Sequence, residues 1–327
     1  MKKGLVFILI SLIVIASTFA NGATETDYSK YPEKDIRIIV AYNPGGQTDL
    51  ISRKIAEIVD TNKLANVSLV TVNMAGGNTL DAINATMEAD PDGYTFFMHH
   101  SNLVTNYIMG NLPIKYDKME LCGGIVDQGF AIVKRADDNR WSNVEELIAY
   151  VKEHPGELTC GFPGFASPGH FALLQFEQAA GILGMIKEVP YGGGAEAIKA
   201  HLGGETDLRA TNMGDSTRYV RSGDIVYLCM VSQNPNPDFP EVPTLKNIGS
   251  TMEGLQLHTG IFAPKGTPKE VCDRFMDIVK AACATPEFKE FAAGMCNTVA
   301  NYSSEEFKSI YDTDLVNLTE IAKTLKK

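Results

Sequence analysis

The segment Tyr42-Asn43-Pro44-Gly45-Gly46-Gln47-Thr48-Asp49 joins a β-branched apolar run to an amphipathic one. Two residues without Cβ atoms let the backbone approach a ligand closely, and free N–H groups at the start of a following helix attract an anion. Thr48 adds a hydroxyl, and Asp49 can cap the helix or accept from a ligand donor. The same residues also suit an ordinary tight turn with an N-cap. Four further segments share the pattern: 74–78 with Gly76 and Gly77, 99–102 with His99, Ser101 and Asn102, 161–170 with Ser167 and His170, and Tyr191-Gly192-Gly193-Gly194. Each is weak alone, but five small or polar loops after strands can converge on one cleft. Tyr42, Tyr191 and Asn212, the last just beyond a strand-like run at 207–210, complete the candidate ligand-binding set.

Nothing in this pattern resembles nucleotide binding or hydrolysis. There is no GxGxxG opening a strand–helix unit, no GxxxxGK[ST] phosphate loop and no GxSxG elbow. Neither Ser101 nor Ser167 comes with an evident acid–base pair. His99 and His100 are neighbours in a predicted strand, which turns them to opposite faces and argues against one shared ion. No CxxC or His–Cys cluster has metal-ligand spacing. No catalytic residue, metal or cofactor is therefore expected. The net charge of -11 argues against a nucleic-acid partner, because phosphate neutralisation needs clustered Lys and Arg. A small anion is still admissible, since backbone N–H groups and hydroxyls can bind one within an acidic protein.

The elements that must position these loops follow from periodicity. Residues 36–41, 67–72 and 94–98 predict strands, each followed by a loop. Residues 50–61, with Ile51, Ile55 and Ile58 on one face, and 80–89 predict helices. Asp90-Pro91-Asp92-Gly93 is a turn, with Pro fixing φ and Gly accepting a positive one. The rhythm repeats with strands at 124–133, 158–161, 207–210, 225–231 and 257–263, and helices at 170–181 and 195–202. Ser142 with Glu145 predicts a capping box that opens a helix ending at His154-Pro155-Gly156. Thr267-Pro268 with Glu270, Thr285-Pro286-Glu287 and Ser303 with Glu306 predict three later helix starts. The last helix carries Phe307, Tyr311, Leu315, Leu318, Ala322 and Leu325 at helical spacing, a face that docks on the protein's own core. Residues 234–243, with four prolines, are an irregular connection. Alternating strands and helices imply α/β architecture with a mostly parallel sheet flanked by helices.

The first residues predict a compartment. Lys2 and Lys3 precede an apolar run at 5–16, and Thr18 and Ala20 follow with signal-peptidase spacing. Residues 1–20 read as a cleavable signal peptide, with the mature chain beginning near Asn21. Six cysteines in an exported protein admit up to three disulfides. Cys122, Cys160 and Cys229 lie in or beside apolar strand-like runs, where a buried thiol fits equally well, and the pairing stays open.

Several segments together resemble a known family over nearly the whole mature chain. They are Tyr31-Pro32 before the first strand, Pro44-Gly45-Gly46 with Thr48-Asp49, Pro91-Asp92-Gly93-Tyr94-Thr95, Gly161 to His170, and Val189-Pro190-Tyr191 with Gly203-Gly204. Pro240-Glu241-Val242-Pro243-Thr244 and Ala263-Pro264-Lys265-Gly266-Thr267-Pro268 complete the set. In order and spacing the chain is similar to the tripartite tricarboxylate transporter solute receptors, the Bug or TctC-like periplasmic binding proteins. The resemblance implies a two-domain Venus-flytrap receptor that is not an enzyme, with residues 32–121 plus 247–327 in one domain and 122–246 in the other. It implies a small organic carboxylate as ligand, integral-membrane permease subunits as partners, a periplasmic location and a monomer. Carried onto this sequence, Gly45, Gly46, Thr48, Asp49, Gly76, Gly77, Ser101 and Asn102 hold the carboxylate from the first domain, and Ser167 and His170 contribute from the second. The chain departs from the common pattern at Gln47, Phe162, Ala166, Gly169, Gly192 and His258, around the distal part of the pocket. A ligand-sensing subunit for a membrane signalling protein shares the same features. A secreted hydrolase using His170, Asp49 or Ser167 is the other alternative.

Overall fold

The computed structural model describes residues 28–323, so the expected leader at 1–20 and Leu325 lie outside the described residues. Tyr28–Tyr31 is a separate short unit, a turn closed by the Tyr31 N–H on the Tyr28 carbonyl. From Pro32 onward, strands and helices alternate: β1 (Ile36–Val40), α1 (Gln47–Thr61), β2 (Leu69–Asn73), α2 (Leu80–Met87), β3 (Thr95–His100), α3 (Asn102–Ile108) and β4 (Glu120–Arg135). They continue with α4 (Val144–Glu153), β5 (Thr159–Pro163), α5 (Pro168–Ala180), β6 (Lys187–Tyr191), α6 (Gly194–Leu202), β7 (Leu208–Asn212), α7 (Met213–Ser222) and β8 (Ile225–Met230). The last elements are β9 (Gln256–Ala263), α8 (Lys269–Ala284), α9 (Pro286–Gly294), β10 (Asn297–Val299) and α10 (Ser304–Ala322).

The strands form two sheets that share β4. In the first, β1 pairs in parallel with β2 and β3, and β9 runs antiparallel between β3 and the first part of β4, to which β10 adds. In the second, the rest of β4 pairs antiparallel with β7 and β8, while β5 joins β6 and β7 in parallel. Parallel pairing thus occupies the outer parts, and antiparallel pairing surrounds β4 and β9. The inner parallel strands β1 and β3 carry buried apolar residues on both faces, as strands covered by helices on both sides do. Phe96 stacks on Phe275 of α8 at 3.9 Å, and the adjacent Phe97 packs against Phe262 of β9.

Local chemistry accounts for most helix ends. Ser303 and Glu306 close a reciprocal capping box on α10, and Thr285 caps α9 through the Phe288 N–H. Two caps differ from the sequence reading. At α4 the capping residue is Asn143, which accepts from the Glu146 N–H while Glu146 returns to the Ser142 N–H. The box is displaced by one residue because the longer asparagine side chain makes the same bond. At α8, Thr267 donates its hydroxyl to the Pro264 carbonyl instead of capping, and the helix starts behind Pro268 without a side-chain cap. Elements α3, β6, α7 and β10 were not legible from periodicity. On α10 the buried face is Phe307, Tyr311, Leu318, Ile321 and Ala322.

Within α5, Glu177 is fully buried, and its two oxygens accept the Gly184 and Ile186 N–H groups. Burial outweighs these donors and pushes its carboxyl from 4.5 up to about 7. The native state therefore keeps this proton to higher pH than the unfolded chain does. Stability is fully present below the unfolded pKa, falls as pH rises from about 4.5 to about 7, and levels off above that window. Glu177→Gln removes the titration. Between pH 5 and pH 8 the wild type should lose about 3 kcal/mol more than the variant, read by urea unfolding at both pH values. Parallel pH profiles for the two proteins would refute the assignment.

Candidate functional site

A cleft of about 920 Å³ opens where the carboxyl ends of β1, β3, β5 and β7 face one another. Its walls carry Tyr42, Gly45, Gly46, Gln47 and Thr48 on one side and Ser167, Gly169, Gly194, Asn212, Gly214 and Arg218 on the other. Four helices, α1, α5, α6 and α7, each bring first-turn residues to its lining. A helix start carries unpaired N–H groups and about half a positive elementary charge. Convergence of four such ends favours an anion without lining the site with lysines.

The β1–α1 loop is held from beneath. Asp49 is buried, and its carboxylate accepts from the Gly45 N–H at 2.9 Å, from Arg53 Nε at 2.9 Å and from Asn73 Nδ2 at 2.9 Å. Asn73 Nδ2 also reaches the Tyr42 carbonyl, and Arg53 Nη2 binds Asn73 Oδ1. Burial opposes ionisation of Asp49, but Arg53, the Gly45 N–H and Asn73 together hold its carboxyl below the ordinary value. Gly45 has φ +86°, a left-handed conformation that the glycine accepts without strain. Asp49 therefore shapes the loop and does not line the cleft.

Tyr42 is fixed by the two histidines that end β3. Its hydroxyl lies 3.1 Å from His99 Nε2 and 3.0 Å from His100 Nε2. His100 Nδ1 accepts the Asn102 N–H, which leaves its proton on Nε2 to donate to the tyrosine oxygen. His99 Nδ1 faces the His100 carbonyl at 2.8 Å and must donate, so its Nε2 accepts the tyrosine proton. Both rings are neutral: burial lowers His99 to about 4 and His100 well below its ordinary value. The expectation that the pair point apart fails, because His100 is the last residue of the strand and the chain bends there. Among the described residues no group of three or more His, Cys, Asp or Glu side chains could hold a metal ion.

The opposite wall is built by caps. Ser167 Oγ accepts the His170 N–H and starts α5; Asn212 Oδ1 accepts the Gly214 N–H and starts α7. Asn212 Nδ2 donates to Oε1 of Gln128, a buried β4 residue on the cleft floor. Arg209, wholly buried, donates to the Gly194 carbonyl and steadies the start of α6. Gly214 is a close-approach position, since any Cβ there would collide with Nε2 of Gln47 from the facing wall and with the Met295 carbonyl.

Of the residues singled out in sequence, Tyr42, Gly45, Gly46, Thr48, Asn102, Ser167 and Asn212 line the cleft. Six lie outside its lining. Asp49 sits under the loop. Gly76 and Gly77 pack against the Asp81 carboxylate, where a Cβ would collide. Ser101 is buried and bridges to β9 through the Gln256 carbonyl and the His258 N–H. His170 is buried behind the wall, stacked on Phe162 at 4.4 Å, and accepts the N–H of Ala166, a residue held at φ +59°. Its Nε2 lies 3.0 Å from Glu188 Oε2 without hydrogen-bond geometry. Tyr191 packs over Gly161. Gly194, from the Tyr191–Gly194 loop, does reach the lining, while Gln128, Arg218 and Gly214 escaped the sequence reading. The one available signal was Asn212 followed by a polar helical stretch, which an N-cap would explain.

Comparison with known proteins bears on this geometry. A family model described as the tripartite tricarboxylate transporter family receptor matches residues 51–325. The chain belongs to that family. A UPF0065 protein of Bordetella pertussis (strain Tohama I) is 28% identical over 282 residues, covering 86% of this chain and 85% of the relative. The solved periplasmic binding protein BugD matches with a TM-score of 0.72 at 26% identity, over 90% of this receptor and 98% of BugD. MatC from Rhodopseudomonas palustris, solved with bound malate, has a TM-score of 0.72 at 20% identity, over 89% and 99% of the two chains. The fold is the two-domain fold of periplasmic solute-binding proteins.

The clamp under the β1–α1 loop can be tested in this receptor without a ligand. Asp49→Ala leaves the Gly45 N–H, Arg53 and Asn73 without their acceptor and should cost about 1–3 kcal/mol of stability. Chemical unfolding of the two proteins reads this directly. An unchanged midpoint and slope would mean that the loop is held by its backbone alone.

Proposed function

We propose that this receptor captures a small organic carboxylate in the cleft and delivers it to an integral-membrane permease of the tripartite tricarboxylate type. The observation that carries the reading is the meeting of four helix starts on one cleft. Backbone N–H groups and the Thr48, Ser167 and Asn102 side chains supply donors for a carboxylate, and Arg218 is the only Lys or Arg among the lining residues. A second carboxylate at the far end of the ligand would meet that guanidinium, the geometry in which charge-assisted bonds are strongest. The malate in MatC supports this ligand class, and the family's description supports the permease partner. Periplasmic location is supported by the family and by BugD, together with the leader-like composition of residues 1–20. Binding without turnover is supported by the family, whose description is that of a transporter receptor.

Calorimetry with mono-, di- and tricarboxylates tests the ligand class. A carboxylate should bind one to one, and Thr48→Ala should weaken it about tenfold to a hundredfold, the loss of one bond to a charged group. A panel without a binder, or a T48A protein of unchanged affinity, would count against the site. The lobes, taken as residues 32–121 with 247–327 and residues 122–246, both contribute walls. A ligand that bridges them stabilises a closed form by its differential affinity for that form. Small-angle scattering should show a smaller radius of gyration at ligand saturation. Identical profiles at proven saturation would leave the ligand on one lobe.

A further inference from the structure

All six cysteines are buried, yet their surroundings differ. Cys160 and Cys229 Sγ lie 3.9 Å and 3.4 Å from the Gly161 and Met230 carbonyls, and Cys296 Sγ accepts the Thr217 hydroxyl. These sulfurs face oxygen. Cys122 and Cys272 face each other, with Sγ atoms 3.0 Å apart across 150 residues of chain. Even carbon atoms, which are smaller than sulfur, rest at about 3.5–4.0 Å when merely in contact. A disulfide bond measures about 2.05 Å. The sulfurs are therefore nearer than packing alone brings them and about 1 Å from bonding distance.

The backbone around them is built for this approach. Cys122 sits in β4 where the register with β9 slips between Leu121 and Gly123, so the bulge frees it from regular pairing. Cys272 lies in the first turn of α8. Beside them Gly123 removes the side chain that would separate strand from helix, since a Cβ there would come within 2.9 Å of Met276 Cε on α8. Neither cysteine lines the cleft.

We infer that Cys122 and Cys272 form a disulfide in the exported protein, a covalent tie between the base of the shared strand β4 and the start of α8. The oxidant is an exported protein or small-molecule disulfide. One cysteine thiolate attacks a sulfur of that disulfide, forming a mixed disulfide and releasing one donor thiolate. The second cysteine thiolate attacks the first cysteine's sulfur, closing the Sγ–Sγ bond and releasing the other donor thiolate. Two thiol protons are lost, and the two electrons leave with the reduced donor. Burial raises the Cys122 thiol well above its ordinary value, which makes it a poor nucleophile once enclosed. The bond therefore forms during folding, before β4 and α8 close over the sulfurs. In an oxidising compartment such a bond persists.

The inference takes the exported location from the reading above, and the experiment separates the two. The full-length gene is expressed with its leader, and the periplasmic and cytoplasmic fractions are denatured and alkylated before and after reduction. In the periplasmic protein four of the six cysteines should alkylate before reduction and all six after it, with peptide mapping recovering the segments of Cys122 and Cys272 joined. Cys122→Ala and Cys272→Ala should each abolish the bridge and lower Tm by roughly 5–10 °C. Six alkylated cysteines in the unreduced periplasmic protein, or a bridge joining other cysteines, would overturn the assignment. Recovery only in the cytoplasm would overturn the location instead. Refolding that chain in a glutathione redox buffer then reads the pairing by itself: formation of the bridge supports it and six free thiols overturn it.

Discussion

β4 is hydrogen-bonded along its length to two sets of partners, first β9 and β10 and then β7 and β8. A strand cannot satisfy both sets unless the two sheets lie end to end along it, and register shifts within the strand let it turn from one to the other. That constraint sets the carboxyl ends of β1 and β3 opposite those of β5 and β7. Each βα unit then delivers a loop and a helix start to the same gap. The cleft follows from this shared ladder.

Around the gap, rigidity comes from polar groups that stand behind its lining, His100 alone among them reaching it. Asp49 holds the first loop, His99 and His100 hold Tyr42, His170 holds the strained Ala166, and Arg209 holds Gly194. Each is largely or wholly enclosed, and each satisfies a backbone or side-chain group that the loop conformation would otherwise leave unpaired. The surface offered to a ligand is consequently preorganised by partners one layer back, which reduces the ordering that binding must supply.

Much of this was readable in sequence, and the unreadable part has a common cause. Proline, glycine and capping residues act locally, so Pro44-Gly45-Gly46, Asp90-Pro91-Asp92-Gly93 and Ser303 with Glu306 could be assigned without knowing the fold. Helix α7 could not, because Gly214, Ser216 and Thr217 dilute its apolar periodicity, and its start at Asn212 only makes sense beside Gln128, 84 residues away. His170 and Gly76 were plausible ligand contacts by position in the chain. Their actual orientation depends on Phe162 and Asp81, which turn one behind a wall and press the other against a carboxylate. Periodicity reports which segment reaches a site. It does not report which way a first-turn side chain points.

The dominance of main-chain donors at the cleft has an environmental corollary. A compartment outside the inner membrane follows the acidity of the surrounding medium, and a pocket built on imidazole or amine groups would gain and lose charge as that medium changed. Peptide N–H groups have no such titration in this range, and the two histidines nearest the cleft are already locked in their uncharged forms. The main-chain donors therefore keep the same polarity toward a bound solute in mildly acid and mildly alkaline surroundings. Sensitivity to acidity then belongs to the solute and to Asp215, a lining carboxyl that burial pushes above its ordinary value.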